Sequence, residues 1–163
     1  MDDCYLKGAP LNPWTVDFIK DLHKNFYKDA TDDMLLIESK GDSFYMVPGN
    51  FRSESQHDVI VGQHLPPSSK VVEKFMAYFE QKYCMQPMRM NSRILAMAAA
   101  HHRFNYIHPF PDGNGRVSLL MGHAMGLYAG IGASGLWSVS RGLSRGLDGR
   151  MSYKQIMNHA DMK

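Results

Sequence analysis

Apolar residues recur every three or four positions in the first thirty residues, which is the spacing of a helix with one buried face. Asn12-Pro13 pairs a capping residue with a proline suited to a first helical turn, so the helix is predicted to start there. It is predicted to run to about Lys28, with its apolar side formed by Trp14, Phe18, Ile19, Leu22 and Phe26.

Three further segments show the same helical spacing. Pro66-Pro67-Ser68-Ser69 opens a helix whose predicted buried positions are Val71, Val72, Phe75, Met76 and Phe79. Asn91 can cap a third helix that extends to about Tyr106. A fourth begins near Gly113 or Asn114 and carries Val117, Leu120, Met121, Ala124 and Met125. After a break at residues 130–135, two shorter helices are predicted.

Short β-like runs lie between the first and second helices. Phe44–Val47 and Val59–Val61 are predicted to pair as a small hairpin, separated by the turn-rich Pro48-Gly49-Asn50 and a polar loop. Met34–Glu38 is also compatible with a strand. The pattern therefore predicts a mostly α fold, a helical bundle with one small β-hairpin inserted between helices.

Composition narrows the class of protein. A chain of 163 residues with 21% charged residues suits one globular domain, residues 1–163. A net charge of +2 gives no electrostatic reason to expect a nucleic-acid partner. No apolar run is long enough for a membrane span, and Cys4 and Cys84 form no CxxC pair, so we expect a reducing, cytoplasmic setting. Met151–Lys163 has helical spacing without a cap, so the chain is expected to be a fragment of a longer protein.

Residues 108–116, His-Pro-Phe-Pro-Asp-Gly-Asn-Gly-Arg, gather the groups that phosphate chemistry uses. Gly113 and Gly115 sit where a helix begins, so exposed amides and bare backbone can receive an anion. Arg116 lies in that first turn, where a cation is unfavourable unless an anion is bound. Asp112 beside a phosphate suits Mg²⁺, and His108 titrates in the range needed to take a proton from a hydroxyl.

A structural interpretation of the same loop stays open on these grounds alone. Pro-Asp-Gly-Asn-Gly is also a good turn sequence, and a lone histidine is more often structural than catalytic. His101 and His102 together with His108 raise the possibility of a metal cluster. Neighbouring helical residues point in different directions and no other ligand has zinc-like spacing, so we expect His101 and His102 to pack near the loop instead.

The loop resembles the signature of the Fic family, HxFx(D/E)GNGRxxR. It matches at His108, Phe110, Asp112, Gly113, Asn114, Gly115 and Arg116. The likeness extends to Pro48-Gly49-Asn50-Phe51-Arg52, to Val59 with Val61-Gly62, to Ala100–Phe104, and to Leu136–Gly142. It covers most of the chain from about residue 15, and it implies a Fic-type helical bundle with a hairpin, called the flap, over the active site at about residues 44–62.

The resemblance implies a protein adenylyltransferase that moves AMP from ATP onto a hydroxyl of a target protein. His108 would be the general base, and Asp112 would hold Mg²⁺ on the phosphates. Gly113, Asn114 and Gly115 would form the anion hole, and Arg116 would hold the β-phosphate. Phe110 would anchor the loop in the core, and the target protein would dock at the flap as an added strand. No nucleic-acid polymer and no membrane are implied as partners.

One position departs from the signature, since Leu119 stands where the family has its second arginine. That arginine reaches the γ-phosphate and pairs with the glutamate of an inhibitory helix in many relatives. Leu119 therefore keeps other functions open: a different phosphate-containing donor, removal of AMP, or a weakly active nucleotide-binding regulator. The inhibitory helix of these relatives carries the pattern (S/T)xxxE(G/N). Ser69–Lys74 comes nearest to it, with Glu73 at the right spacing, but Lys74 stands where glycine or asparagine belongs, so we expect Glu73 on a solvated helix face.

Overall fold

The computed structural model describes residues 12–39, 42–131 and Gln155. Its first helix, α1, spans Val16–Phe26 and is capped by Thr15, whose hydroxyl accepts the Phe18 N–H at 3.3 Å. The predicted start at Asn12 was therefore early. The Asn12 carbonyl instead accepts the Thr15 N–H at 3.0 Å, which makes a turn ahead of the helix.

The hairpin lies earlier in the chain than predicted. A short helix α2 (Asp32–Leu35) leads into strand β1 (Leu36–Ser39), which pairs antiparallel with β2 (Asp42–Tyr45). The predicted pairing of Phe44–Val47 with Val59–Val61 was wrong. A partner strand a few residues away costs less chain entropy to reach than one across a long loop. Val61 makes only a local bridge to His64.

The second predicted helix, α3, spans Val72–Lys82 after a 3-10 turn at Ser69–Val71. Val72, Met76 and Phe79 are buried as predicted, whereas Val71 is exposed. Glu73 is exposed on the solvent side, where its carboxylate lies 3.4 Å from Lys20 Nζ, as expected of a solvated face.

Two long helices form the centre of the molecule. Helix α4 spans Met90–Ile107 and α5 spans Asn114–Tyr128. Asn91 does not cap α4, because Arg89 holds the cap position. The two helices pack together, and α1 and α3 cover them around a core that includes Ile19, Met76, Phe79, Phe104, Val117, Met121 and Met125.

The mostly helical fold with one hairpin is confirmed over the described residues. Beyond Ile131, the predicted break to Gly135, the later helices and Met151–Lys163 lie outside the described part apart from Gln155, which is helical. Within the described ranges, no helix combines the length and the apolar character that crossing a membrane requires.

Candidate active site

The signature loop joins the two central helices. His108 ends α4 in a left-handed conformation with φ 51°, the one positive φ of a non-glycine residue in the described ranges. Its N–H still donates to the Phe104 carbonyl at 2.9 Å. A histidine held in this sparsely populated conformation turns the chain sharply out of the helix, as functional sites often require.

His108 and Asp112 line one open cleft of about 410 Å³. The wall facing the loop comes from strand β1 and from residues 59–61, both of which lie between α1 and α3 in sequence. The remaining lining residues are Leu36, Ile37, Glu38, Val59, Ile60, Val61 and Pro111. His108 and Asp112 thus face a common open space beside strand β1 and residues 59–61.

Phe110 fixes the middle of the loop in the core, as predicted. Its ring is fully buried and stacks on His23 with centroids 3.9 Å apart. The Asn114 side chain bonds both backbone groups of Phe110, accepting the N–H at 2.8 Å and donating to the carbonyl at 2.7 Å. The Asn114 amide therefore shapes the loop, and what remains for an anion is its backbone N–H at the start of α5.

Arg52 holds the loop from behind. Its guanidinium is buried and donates to the carbonyls of His108 at 2.7 Å and Ile107 at 3.0 Å. It also donates to the Pro67 carbonyl and pairs with Asp58 at 3.1 Å. The Arg52 backbone N–H bonds the Pro109 carbonyl at 2.9 Å. Arg52 thus connects Asp58 and Pro67, which flank the cleft-lining residues 59–61, to the backbone that carries His108.

Three polar side chains meet beside the start of α5. The Tyr27 hydroxyl donates to Asp112 Oδ2 at 2.5 Å, and Arg116 Nη2 donates to the same oxygen at 2.7 Å. Arg116 Nη2 also donates to the Tyr27 hydroxyl oxygen at 3.0 Å, and its guanidinium lies over the Phe26 ring. The residues predicted to bind metal and phosphate are therefore adjacent and paired with each other.

Electrostatics at this cluster favour a charged acid and a protonated phenol. Burial acts to raise the pKa of Asp112, but the hydrogen bonds from Tyr27 and the Gly113 N–H, together with Arg116, bring it below its ordinary value. Burial, and then the hydrogen bond to Asp112, raise the pKa of Tyr27, so its hydroxyl remains a donor.

His23 is a buried histidine held as the neutral ring. Its Nδ1 accepts the Gly49 N–H at 2.9 Å, so its Nε2 carries the proton and donates to the Asp112 carbonyl at 3.2 Å. Burial lowers the pKa of His23 to about 4, although the Asp112 carbonyl and carboxylate oppose the shift. His23 therefore connects the Pro48-Gly49 turn to the loop.

His108 is also neutral at physiological pH. Burial lowers its pKa to about 4, against the raising effect of a hydrogen bond to the Asn105 backbone. A neutral imidazole has a free nitrogen lone pair, which a general base needs. The lowered pKa also means that the ring holds a proton weakly.

The two glycines of the loop differ in their surroundings. Gly113 caps α5 with φ 79°, and a Cβ there would lie 2.9 Å from the Tyr27 ring. Gly115 lies in the helix, and a Cβ on it would meet no atom within 4 Å. Open space over the first turn of a helix is where an anion can approach the backbone amides.

Two further candidate residues, His101 and Leu119, lie on the central helices α4 and α5. Leu119 is half-buried one helical turn after Arg116. A ring nitrogen of His101 lies 3.2 Å from the Ser118 carbonyl, which supports the expected packing role. Over the described residues, no group of three or more metal-ligating side chains occurs. Asp112 alone still fits Mg²⁺, which commonly takes one or two carboxylates and completes its shell with phosphate oxygens and water.

Three residues that build the site were not identified from the sequence as part of it: Tyr27, His23 and Arg52. Arg52 stood inside a segment of family likeness. His23 and Tyr27 follow the apolar Ile19 at intervals of four residues, which indicates burial. Their contacts with the loop carried no signal, because the one between Tyr27 and Asp112 spans 85 positions and depends on how α1 packs.

Comparison with known proteins identifies the family of this chain. The Fic/DOC family model matches residues 13–125, so the chain belongs to the Fic/DOC family. A protein named protein adenylyltransferase Fic from Nematostella vectensis is 33% identical over 102 residues, covering 61% of this chain and 23% of that protein. One of the same name from Culex quinquefasciatus is 36% identical over 88 residues, covering 50% and 16%.

Solved structures show the same fold. The N-terminal Fic domain of a Bartonella effector protein from Bartonella sp. AR 15-3 aligns with a TM-score of 0.54 at 16% identity, over 95% of this chain and 73% of that one. A Fic family protein from Desulfovibrio desulfuricans G20 gives 0.51 at 21% identity, over 71% and 31%. The chain spans less than a quarter of the length of the curated relatives above.

Proposed function

We propose that this chain is a protein adenylyltransferase, which transfers AMP from ATP to a hydroxyl side chain of a target protein. The observation that carries the proposal is the cleft in which His108 and Asp112 face a common space at the start of α5. Relatives named protein adenylyltransferase Fic support the same reaction.

The residues divide the chemistry between them. The backbone amides of Gly113, Asn114 and Gly115 and the Arg116 guanidinium hold the phosphates of ATP. The target oxygen attacks the α-phosphorus, a new O–P bond forms, and the bond to the pyrophosphate leaving group breaks. His108 takes the hydroxyl proton. Such a transfer depends on positioning and charge stabilisation more than on covalent help from the protein.

Asp112 would hold Mg²⁺ against the phosphates, where the ion would neutralise their charge. Its carboxylate is kept ionised by Tyr27, Gly113 and Arg116, as a hard cation requires. Each partner of the pair between Asp112 and Arg116 would then gain a ligand of opposite charge, Asp112 the cation and Arg116 a phosphate.

The target protein is proposed to dock along the wall opposite the loop. Strand β1 and residues 59–61 line the cleft beside His108. An added strand bonded to their backbone would bring its hydroxyl to the base without strict demands on its sequence. The proposed setting is the reducing cytoplasm, which suits the free thiol of Cys84.

Loss of the base tests this function. In His108→Ala, AMP transfer should fall at least ~100-fold because no group takes the hydroxyl proton. ATP affinity should stay nearly unchanged, since the phosphate contacts remain. Labelled ATP incubated with lysate measures transfer, and calorimetry measures binding. His123→Ala, a change of a half-buried histidine further along α5 that does not line the cleft, is the matched control. Equal transfer by the His108 variant and the native chain would contradict the proposed role.

A further inference from the structure

A residue outside the signature touches both proposed ligand-binding side chains. Tyr27 lies at the end of α1, and its hydroxyl bonds Asp112 Oδ2 at 2.5 Å and Arg116 Nη2 at 3.0 Å. The hydroxyl donates a hydrogen bond to the Asp112 carboxylate and accepts one from the Arg116 guanidinium. A single oxygen therefore sets the relative position of the two charged groups.

The Tyr27 ring is itself firmly placed. It is 4% exposed, and it packs against His23 with centroids 4.9 Å apart and edge-on against Phe26 at 4.9 Å. Gly113 lies so close that a Cβ would reach to 2.9 Å from the ring. The backbone N–H of Tyr27 donates to the His23 carbonyl at 3.2 Å. The hydroxyl is thus presented from a rigid site on another helix.

Asp112 and Arg116 need such support. Their side chains are 48% and 49% exposed, and an exposed ion pair four residues apart holds its geometry weakly. Each long or rotatable side chain loses conformational freedom when it is fixed by a ligand. A group that fixes both before the ligand arrives lowers that entropy loss.

We infer that Tyr27 is a positioning residue, whose hydroxyl preassembles Asp112 and Arg116 for the Mg²⁺-bound polyphosphate of the nucleotide. The inference rests on the proposed function for the identity of the nucleotide. It predicts that the hydroxyl acts through Asp112 and Arg116 and contributes little where those side chains are absent.

Tyr27→Phe removes the hydroxyl and keeps the buried ring, so the packing on Gly113 is preserved. Calorimetric titration of ATP with Mg²⁺ should show about tenfold weaker binding in this variant. Tyr83→Phe is the matched control, because Tyr83 is a half-buried tyrosine packed on Phe79 away from the cleft. Its ATP affinity should stay within about twofold of the native chain. Unchanged or tighter binding by Tyr27→Phe would overturn the inference.

A mutant cycle separates positioning from a general packing role. With Asp112→Asn and Arg116→Gln both in place, Tyr27→Phe should change the affinity for ATP with Mg²⁺ by less than about twofold, since both charged partners of the hydroxyl are gone. If Tyr27→Phe instead weakens binding there as much as it does in the native chain, Tyr27 acts independently of both residues and the inference fails.

A third measurement needs neither nucleotide nor target. In the ligand-free protein, the NMR order parameter of the Arg116 Nε–H group should fall in Tyr27→Phe and stay constant in Tyr83→Phe. Unchanged order of Arg116 would overturn the positioning role. Failure of the proposed function would appear instead as an unlabelled target with native protein, a result that leaves this comparison intact.

Discussion

Gly113 and Gly115 are two residues apart, yet the structure gives them different tasks. Gly113→Ala should lower the free energy of unfolding by ~1–3 kcal/mol, because φ 79° is unfavourable for alanine and its Cβ meets the Tyr27 ring. Gly115→Ala should keep or raise stability by ~0.5–1 kcal/mol, since alanine favours a helix and the space is open.

The same two variants should separate fold from function. Gly115→Ala places a methyl group where a phosphate would approach the backbone, so ATP affinity should drop by about tenfold or more without loss of stability. Urea unfolding and calorimetry on both variants check this prediction. Native ATP affinity in a stable Gly115→Ala protein would show that the phosphates lie elsewhere.

Leu119 raises the question of which donor the site holds. It follows Arg116 by three positions on α5, so the two share a side of the helix. A charged hydrogen bond to phosphate is worth ~1.5–3 kcal/mol, roughly tenfold to more than a hundredfold in affinity. Leu119→Arg should therefore tighten ATP binding and change ADP binding much less. Calorimetry with both nucleotides and Mg²⁺ measures this, and Leu119→Met controls for altered packing.

If the two affinities move together, or neither moves, position 119 does not face the γ-phosphate. A selective gain in ATP affinity would mean that the native chain holds the γ-phosphate poorly. It would then favour a native donor that has no γ-phosphate.

At the scale of elements, Arg52 connects the cleft wall to the loop. Its buried guanidinium binds the backbone after α4 and pairs with Asp58, which in turn accepts the Ser69 N–H at 2.7 Å ahead of α3. Lysine keeps the charge but lacks the planar fork of donors that reaches several acceptors at once. Arg52→Lys should leave buried carbonyls unsatisfied.

The expected loss for Arg52→Lys is ~1.5–3 kcal/mol of unfolding free energy, accompanied by slower transfer because the backbone of His108 is released. Arg93→Lys is the matched control, since Arg93 Nε donates to the carbonyls of Met85 and Met88, which do not line the cleft. It should lose some stability and retain transfer. Equal transfer by the two variants would show that Arg52 does not position the base.

For the molecule as a whole, buried neutral histidines make stability depend on pH. The pKa of His23 is about 4 when folded, against ~6.5 for an unperturbed histidine. Between these values the unfolded chain binds the proton and the folded chain does not, so stability is lost as pH falls from ~6.5 towards ~4. His108 shifts in the same direction.

Each such histidine changes the free energy of unfolding by up to ~1.4 kcal/mol per pH unit in that window. Urea unfolding at pH 7, 6 and 5 should show the free energy of unfolding falling with pH. In His23→Gln, the slope of this fall should be smaller by the equivalent of about one proton, and stability at pH 7 should be lower. An unchanged slope in His23→Gln would mean that His23 is not a neutral buried ring in the folded protein.

The sequence by itself determined the elements whose signals are local. The fourth predicted helix starts where α5 starts, because glycine caps and apolar spacing act within a few residues. The signature indicated that Phe110 would be buried, and it is. His108, Asp112 and Arg116 were identified as candidate site residues in the same way, since the groups that phosphate chemistry needs lie within nine consecutive positions.

Only the tertiary structure decided which distant segments meet. Composition did not distinguish the observed pairing of Leu36–Ser39 with Asp42–Tyr45 from the predicted one, because each of these short runs mixes polar with apolar or aromatic residues or lies next to such a run. Tyr27 and Arg52 reach the loop from positions far away in sequence through the packing of α1 and of the cleft wall. Contacts across such distances follow from how faces pack together, and a single sequence records the faces but not their partners.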